Sequence, residues 1–198
     1  MTEKLKYAII GAGCMGQEHI LNIEIIDDAE VVALCDTSEK SIKESLDLLN
    51  NEVAIFDNYI DLVEANIADA FIIATPNFTH IEVLKEVMKS EAHLLIEKPL
   101  CTTVKDCQEF EKLAVDYPGV IWTAMEYRYM PPVQRMIKEI HNKTIGDLKM
   151  LSIREHRFPF LHKVDDWNRF AIKTGGTLVE KCCHFFDLMR LIAHSEPL

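Results

Sequence analysis

The sequence predicts an α/β fold built on a doubly wound parallel sheet. Short apolar runs alternate with longer amphipathic segments through about residue 126, which is typical of successive strand–helix–strand units. The run at 70–74 is continuously apolar, as expected for a strand that is buried on both faces. A glycine-rich turn directly follows the first run, where a nucleotide-binding sheet carries its phosphate loop.

Six strands with intervening helices account for residues 1–126, which we predict to be one complete nucleotide-binding domain. Ser38 is the predicted N-cap of the second helix, because a serine oxygen can accept the N–H groups that a first helical turn leaves unpaired. The predicted strands are 7–10, 31–35, 53–56, 70–74, 93–96 and 120–125, and the predicted helices are 15–26, 38–49, 59–64, 80–89 and 104–115.

Residues 127–198 are predicted to begin a second α/β domain. It would contain a helix at 132–141, a long strand at 149–158 that is too polar for the middle of a parallel sheet, and an amphipathic helix at 176–193. A single strand has no hydrogen-bonding partner within this segment. We therefore expect either pairing with another chain or, as the preferred explanation, that the domain is truncated here.

Charge and composition exclude several classes of function. The formal net charge of −11 would repel the phosphates of a nucleic acid. No window approaches the roughly 20 apolar residues of a membrane helix, and the N-terminus does not resemble a signal peptide, which predicts a cytoplasmic protein without a membrane partner. The six cysteines contain no CxxC pair and are expected to be buried thiols rather than a disulfide framework.

The first chemical signal is a GxGxxG pattern that opens the first helix. The first glycine permits a tight turn, the second lets backbone approach a pyrophosphate, and the third lets helix and strand pack closely. Asp36 ends the second strand, twenty residues after the last glycine, where it would bind ribose hydroxyls and repel a 2′-phosphate. The pattern predicts a Rossmann domain that binds NAD; the alternative is a structural turn that binds nothing. The six residues of the pattern are Gly11, Ala12, Gly13, Cys14, Met15 and Gly16.

Two further motifs carry groups suited to acid–base chemistry. Lys98 follows the fifth strand, at the sheet edge where ligands of such folds bind, and could donate a hydrogen bond to a reacting hydroxyl. Glu180 and His184 are four residues apart and are expected to share one helix face as an acid–base pair. The alternatives without a catalytic role are a solvated surface lysine for Lys98 and a surface ion pair for Glu180 and His184. No metal site is predicted, because Cys182, Cys183 and His184 would point to different faces of a helix.

Taken together, the motifs GAGCMG, ATPNFTH, EKPL and GGTLVEKCCHFFDL resemble, in order, those of the Gfo/Idh/MocA family of oxidoreductases, named after glucose–fructose oxidoreductase and inositol 2-dehydrogenase. The resemblance implies a Rossmann domain followed by an α/β domain with a mainly antiparallel sheet, through which a homo-oligomer would form. It implies catalytic roles for Lys98, His184 and Glu180, the last at a position usually held by aspartate. It adds Asp36, Thr37, Ala74, Thr75, Pro76, Asn77, His80, Glu97, Lys98 and Arg128 as cofactor-binding residues beside the glycine loop. The substrate-binding candidates are Lys98, Tyr127, Arg157, Trp167, Glu180 and His184.

These observations predict an NAD-dependent dehydrogenase of a sugar, cyclitol or similar polyol. NADP stays open as the cofactor, because Thr37, Ser38 and Lys40 could accommodate a phosphate if Asp36 turns away. One alternative function is a nucleotide-binding module without catalysis, or a truncated and inactive relative. Another keeps the fold but reduces an imine or a biliverdin-like substrate.

Overall fold

The computed structural model describes residues 3–156, 159 and 162–196. The chain divides into two compact units, Met1–Ala124 and Met125–Leu198, and each is described by itself.

The first unit contains all six predicted strands in one parallel sheet, which confirms the predicted doubly wound fold. The strands are β1 (Leu5–Ile10), β2 (Ala29–Cys35), β3 (Ala54–Phe56), β4 (Ala70–Ile73), β5 (His93–Ile96) and β6 (Ile121–Thr123). Their order across the sheet is β3-β2-β1-β4-β5-β6, so the winding direction reverses between β1 and β4. In open sheets of this kind a ligand binds beyond the carboxyl ends of the strands at that reversal.

Five helices connect these strands close to the predicted positions. Ser38 caps the second helix as expected, with its hydroxyl oxygen accepting the N–H of Ser41 at 3.2 Å. The helix predicted to start at His80 is preceded by a short 3₁₀ turn, Asn77–Thr79. The helices are α1 (Cys14–Ile23), α2 (Glu39–Leu46), α3 (Tyr59–Glu64), α4 (His80–Val87) and α5 (Val104–Ala114).

Two apolar clusters form the core, and both draw on β1 and β4. Ile9 and Ile72 belong to one cluster, whereas Ile10 and Phe71 belong to the other. All four residues of β4 are buried, which confirms that this apolar run is covered on both faces. The two central strands therefore lie rigidly packed beside the reversal point, and the loops after them start from fixed positions.

In the described residues of the second unit, all regular secondary structure is helical. Its helices are α6 (Pro131–His141), α7 (Ala171–Thr174), α8 (Thr177–Glu180) and α9 (Cys183–Ala193). The strand predicted at 149–158 is wrong for residues 149–156, which carry no regular secondary structure, while Arg157 and Phe158 lie outside the described residues. A strand exists through pairing, and the described part of this unit offers it no partner strand.

The helix predicted at 176–193 is also not continuous. It consists of α8 and α9, separated by Lys181 and Cys182, and Lys181 has φ −112° and ψ −47°, with φ well away from the ideal helical value of about −63°. Glu180 and His184 therefore belong to different helices, and the expectation of one shared helix face is wrong. Within the ranges that the structure describes, no helix is both long and apolar enough to cross a bilayer.

The packing of β4 predicts a large difference between two isoleucine-to-alanine substitutions. Ile72→Ala should lower the free energy of unfolding by about 2–5 kcal/mol, because the site is 2% exposed and would retain a cavity. Ile55→Ala on the edge strand β3, where the side chain is 54% exposed, should cost less than about 1 kcal/mol. Urea denaturation of both variants measures the difference, and equal costs would contradict the assignment of β4 to the core.

Candidate functional site

The glycine turn after β1 is shaped by two close backbone approaches. Gly11 has φ +98°, and a Cβ there would lie 2.6 Å from the carbonyl carbon of Ala74. A Cβ on Gly16 would lie 2.1 Å from the carbonyl oxygen of Gly11, so only glycine lets α1 pack this closely. Gly13, in contrast, has nothing within 4 Å of where its Cβ would be. The turn is tight at its two ends and open at the middle glycine.

The N-terminus of α1 is suited to hold a phosphate. Gly13 is its N-cap and supplies no side-chain cap, and the first turn contains no acidic residue. The first N–H groups of a helix lack partners within the helix and carry the positive end of its dipole. Together with the open space at Gly13, this is the arrangement in which a pyrophosphate accepts backbone hydrogen bonds. Cys14 and Met15 form the first turn, and Cys14 is exposed.

Asp36 connects the end of β2 to the glycine turn. Its Oδ2 accepts the N–H of Ala12 at 2.8 Å, and its Oδ1 accepts the N–H of Ser38 at 2.8 Å. Each carboxylate oxygen keeps a second lone pair, so the group can still accept from a ribose hydroxyl. Turning Asp36 away would break both backbone hydrogen bonds. Thr37, the next residue, is exposed.

The segment after β4 contains a buried amide that fits a ligand. Asn77 is 7% exposed, and its Nδ2 has no hydrogen-bond partner among the residues that the structure describes. A buried donor without an acceptor costs free energy, which an incoming cofactor oxygen would recover. Thr75 and Pro76 precede it, and the Thr75 hydroxyl accepts that of Thr79 at 2.8 Å.

His80 joins the segment after β4 to the segment after β5. The imidazole is fully buried, with Nε2 3.0 Å from the carbonyl oxygen of Thr75 and Nδ1 3.0 Å from that of Pro99. Burial lowers the pKa of His80, although the carbonyl oxygens and Glu97 oppose the shift. Both nitrogens thus face main-chain carbonyls, and the expected direct contact of His80 with a cofactor stays a prediction.

Lys98 lies just beyond β5, and Glu97 before it is a buried carboxylate. Glu97 is 6% exposed, and its Oε1 lies 2.9 Å from Nε2 of His19 on α1. Its Oε2 accepts the backbone N–H of Lys98 at 3.1 Å. Because a buried carboxylate needs such partners, Glu97 secures the backbone that carries Lys98. The Lys98 side chain itself is half-buried.

In the second unit, His184 is held between an aromatic ring and a carboxylate. The imidazole is 2% exposed and stacks on Tyr127, with ring centroids 4.2 Å apart and planes 10° apart. Its Nε2 lies 3.5 Å from Oε1 of Glu126, whose side chain is about half exposed. A carboxylate beside an imidazole stabilises the imidazolium. The structure therefore brings to His184 a carboxylate, that of Glu126, which the sequence had not singled out.

Tyr127 is in turn fixed by two polar side chains, Glu155 and Lys181. Its hydroxyl donates to Oε1 of Glu155 at 3.0 Å and accepts a hydrogen bond from Nζ of Lys181. Lys181 is 7% exposed and lies 3.1 Å from the same Glu155 oxygen, so its charge is paired. The ring stacked on His184 thus has a defined position.

Arg128 forms a two-point ion pair with Asp187 of α9. Nε of Arg128 donates to Oδ2 of Asp187 at 2.6 Å, and a second guanidinium nitrogen donates to Oδ1. This hydrogen bonding raises the pKa of Arg128. The cofactor contact expected of Arg128 stays a prediction, and the structure assigns its guanidinium to positioning α9, which carries His184.

Two further candidates, Glu180 and Trp167, also lie in the second unit. Glu180 ends α8 and is half-buried, and Trp167 lies half-buried in a 3₁₀ segment, Val164–Arg169. Arg157 lies outside the described residues. Among the groups that sequence reasoning missed, Asp187 had the clearest signal: it is the one acidic residue of α9 and lies three residues after His184.

Comparison with known proteins identifies the chain. Residues 5–125 match the family model described as an oxidoreductase family with an NAD-binding Rossmann fold, and residues 137–197 match the model of that family's C-terminal alpha/beta domain. The chain belongs to the Gfo/Idh/MocA family. Its first unit is accordingly the family's NAD-binding domain, as the glycine turn and Asp36 had predicted.

Relatives within the Gfo/Idh/MocA family include several dehydrogenases. Rhizopine catabolism protein MocA of Rhizobium meliloti is 25% identical over 98% of this chain and 59% of its own length. Myo-inositol 2-dehydrogenase of Thermotoga maritima is 27% identical over 97% of this chain and 56% of its own length. The chain thus spans about half the length of the relatives it matches.

Solved structures show the same fold. Myo-inositol 2-dehydrogenase from Lactobacillus plantarum matches with a TM-score of 0.81 at 22% identity, over 99% of this chain and 58% of the other. Scyllo-inositol dehydrogenase from Lactobacillus casei, solved with NAD(H) and scyllo-inositol, matches with a TM-score of 0.79 at 17% identity, over 98% of this chain and 57% of the other. At these identities the likeness establishes the fold.

The glycine turn predicts unequal losses of stability for two alanine substitutions. Gly16→Ala should lower the free energy of unfolding by about 1–3 kcal/mol or more, because its Cβ meets the Gly11 carbonyl. Gly13→Ala should cost less than about 1 kcal/mol, since its Cβ enters open space at a helix N-cap.

Gly13→Ala should lower the affinity for NADH, because the added methyl group fills the space left for the pyrophosphate. We expect a loss of about tenfold or more in a folded protein, measured by nicotinamide fluorescence. Unchanged NADH affinity in folded Gly13→Ala would show that the cofactor does not approach this glycine.

Proposed function

We propose that the protein oxidises a secondary alcohol of a sugar, cyclitol or similar polyol with NAD. The observation that carries the proposal is the setting of His184, a buried imidazole stacked on Tyr127 with Nε2 3.5 Å from the carboxylate of Glu126. Such a group can take a proton from a hydroxyl and hold it as an imidazolium. It occurs in a chain whose other domain belongs to an NAD-binding family.

Each protein group has one proposed role. His184 accepts the proton of the substrate hydroxyl, and Glu126 stabilises the imidazolium that results. Lys98 donates a hydrogen bond to the same oxygen, which stabilises the negative charge that develops there. Glu180, one methylene longer than the usual aspartate, is proposed to contact the substrate rather than to orient His184, because the helix is interrupted between them.

NAD, when bound, accepts the hydride from the carbon that carries the hydroxyl. The residues proposed to hold it are the glycine turn, Asp36, and the segment from Ala74 to Asn77. A preference for NAD over NADP is supported by the two backbone hydrogen bonds that hold Asp36 in place. A 2′-phosphate would meet this fixed carboxylate and be repelled.

The substrate class rests on the relatives. Several are named inositol 2-dehydrogenase, and one is named glucose-6-phosphate 3-dehydrogenase. A mainly antiparallel sheet in the C-terminal domain, and a homo-oligomer formed through it, remain part of the proposal. Their support is the match of residues 137–197 to the family's C-terminal domain.

Turnover of a polyol panel tests the proposed chemistry. We expect NAD reduction, followed by nicotinamide absorbance, with at least one inositol or sugar. Lys98→Met and His184→Gln should each lower kcat by about a hundredfold or more, as the loss of a group acting on the proton or the oxygen does. Lys105→Met, an exposed lysine on α5, is the matched control and should keep full turnover.

Two results would count against the proposal. Full turnover by Lys98→Met would remove that residue from the mechanism. Saturable NADH binding without turnover on any substrate would favour the alternative of a nucleotide-binding module without catalysis.

A further inference from the structure

Two histidines hold the segment that carries Lys98, and each comes from a helix that starts at a cofactor loop. His19 lies on α1, three residues after Gly16 of the glycine turn. His80 begins α4, directly after the segment containing Asn77. Neither side chain takes part in the proposed proton transfer, yet both are directed at the residues around Lys98.

His19 acts through Glu97. Nε2 of His19 lies 2.9 Å from one oxygen of Glu97, and the other oxygen accepts the backbone N–H of Lys98. The two side chains are 17% and 7% exposed, so water competes little with this contact. The contact therefore ties α1 to the backbone at Lys98.

His80 acts on the other side of Lys98. Its Nδ1 lies 3.0 Å from the carbonyl oxygen of Pro99 and 3.3 Å from that of Leu100, while its Nε2 lies 3.0 Å from that of Thr75. Carbonyl oxygens only accept hydrogen bonds and a neutral imidazole carries a single N–H, so the ring donates through one nitrogen at a time. The proposal takes that nitrogen to be Nδ1, which has two carbonyl oxygens within reach. The ring is fully buried, which excludes a solvent-facing role.

We propose that His19 and His80 are positioning residues that set Lys98 by anchoring its segment to the two cofactor loops. The inference rests on the proposed function, because it concerns the residue that would polarise the substrate hydroxyl. A misplacement of about 1 Å in such a group can cost up to a hundredfold in rate. Anchoring on both sides of Lys98 would prevent this misplacement and would link its position to the conformation of the loops that hold NAD.

The two anchors use different ring nitrogens, which gives a test with reciprocal substitutions. The amide nitrogen of glutamine replaces Nε2 of histidine, and that of asparagine replaces Nδ1. His19 holds Glu97 through Nε2, so His19→Gln should preserve the anchor and His19→Asn should lose it. His80 holds Pro99 through Nδ1, so His80→Asn should preserve the anchor and His80→Gln should lose it.

Lysine reactivity reports the position of Lys98 without requiring turnover. The protein is labelled with an amine-acylating reagent, and mass spectrometry gives the labelling rate of Lys98 relative to Lys40, whose side chain is 84% exposed. In His19→Asn and His80→Gln we expect this ratio to change by about tenfold, because a buried hydrogen bond that opposes local opening is lost. In His19→Gln and His80→Asn we expect it to stay near the wild-type ratio.

Turnover gives the second readout. His19→Asn and His80→Gln should lower kcat by about tenfold or more, and their preserving counterparts should recover most of it. A general loss of stability would not make glutamine the better substitute at position 19 and asparagine the better substitute at position 80. If the labelling ratios follow the expected pattern but the wild type turns over no substrate, the proposed function fails while the anchoring stands.

The anchoring proposal is overturned if the four variants share one labelling ratio, or if the order is the reverse at either site. Should a variant fail to fold, the exchange rates of the imidazole N–H protons in the wild-type protein test the proposal instead. NMR should show a slowly exchanging imidazole N–H on His80 and on His19, and rapid exchange at both rings would overturn the proposal.

Discussion

The first unit depends on one close backbone approach between the turn after β1 and the turn after β4. Gly11 comes so near Ala74 that a Cβ would overlap its carbonyl group. The two strands adjoin at the point where the sheet reverses direction, and their ends are fixed by the core on both faces. The approach brings the phosphate loop beside the segment with the buried Asn77 amide, where a dinucleotide can bind.

Two hydrogen-bonded carboxylates extend this constraint to the neighbouring loops. Asp36 holds the glycine turn through the N–H of Ala12, and Glu97 holds the Lys98 backbone while contacting His19. In both cases main-chain N–H groups or an imidazole lie against the carboxylate oxygens.

Much of the fold could be predicted because its signals are local. The six strands are short apolar runs with distinct ends, and the glycine pattern has a direct steric cause at Gly11 and Gly16. The break at Lys181 had no such signal. It accompanies burial of the Lys181 side chain against Tyr127 and Glu155, which lie far away in sequence. Sequence spacing alone therefore paired His184 with Glu180 rather than Glu126.

The segment at 149–156 shows a second limit of local patterns. Its alternation suits a strand, but a strand forms only when another one pairs with it. The histidine anchors show a third limit. His80 was expected among the cofactor residues, and its actual partners are carbonyl oxygens in two loops. Every residue has a main-chain carbonyl, so a contact to one does not depend on the residue types of the loop. The sequence therefore cannot indicate such a contact, and only the structure reveals it.

The central claim is that the first unit binds NAD, with Asp36 fixed against the glycine turn. Titration of the protein with NADH and with NADPH, followed by nicotinamide fluorescence, tests it most directly. The account predicts saturable binding of NADH, at least about tenfold tighter than that of NADPH because a 2′-phosphate would face the Asp36 carboxylate, and weakened by Asp36→Ala. A folded protein that binds neither nucleotide, or that binds NADPH as tightly as NADH, would contradict it.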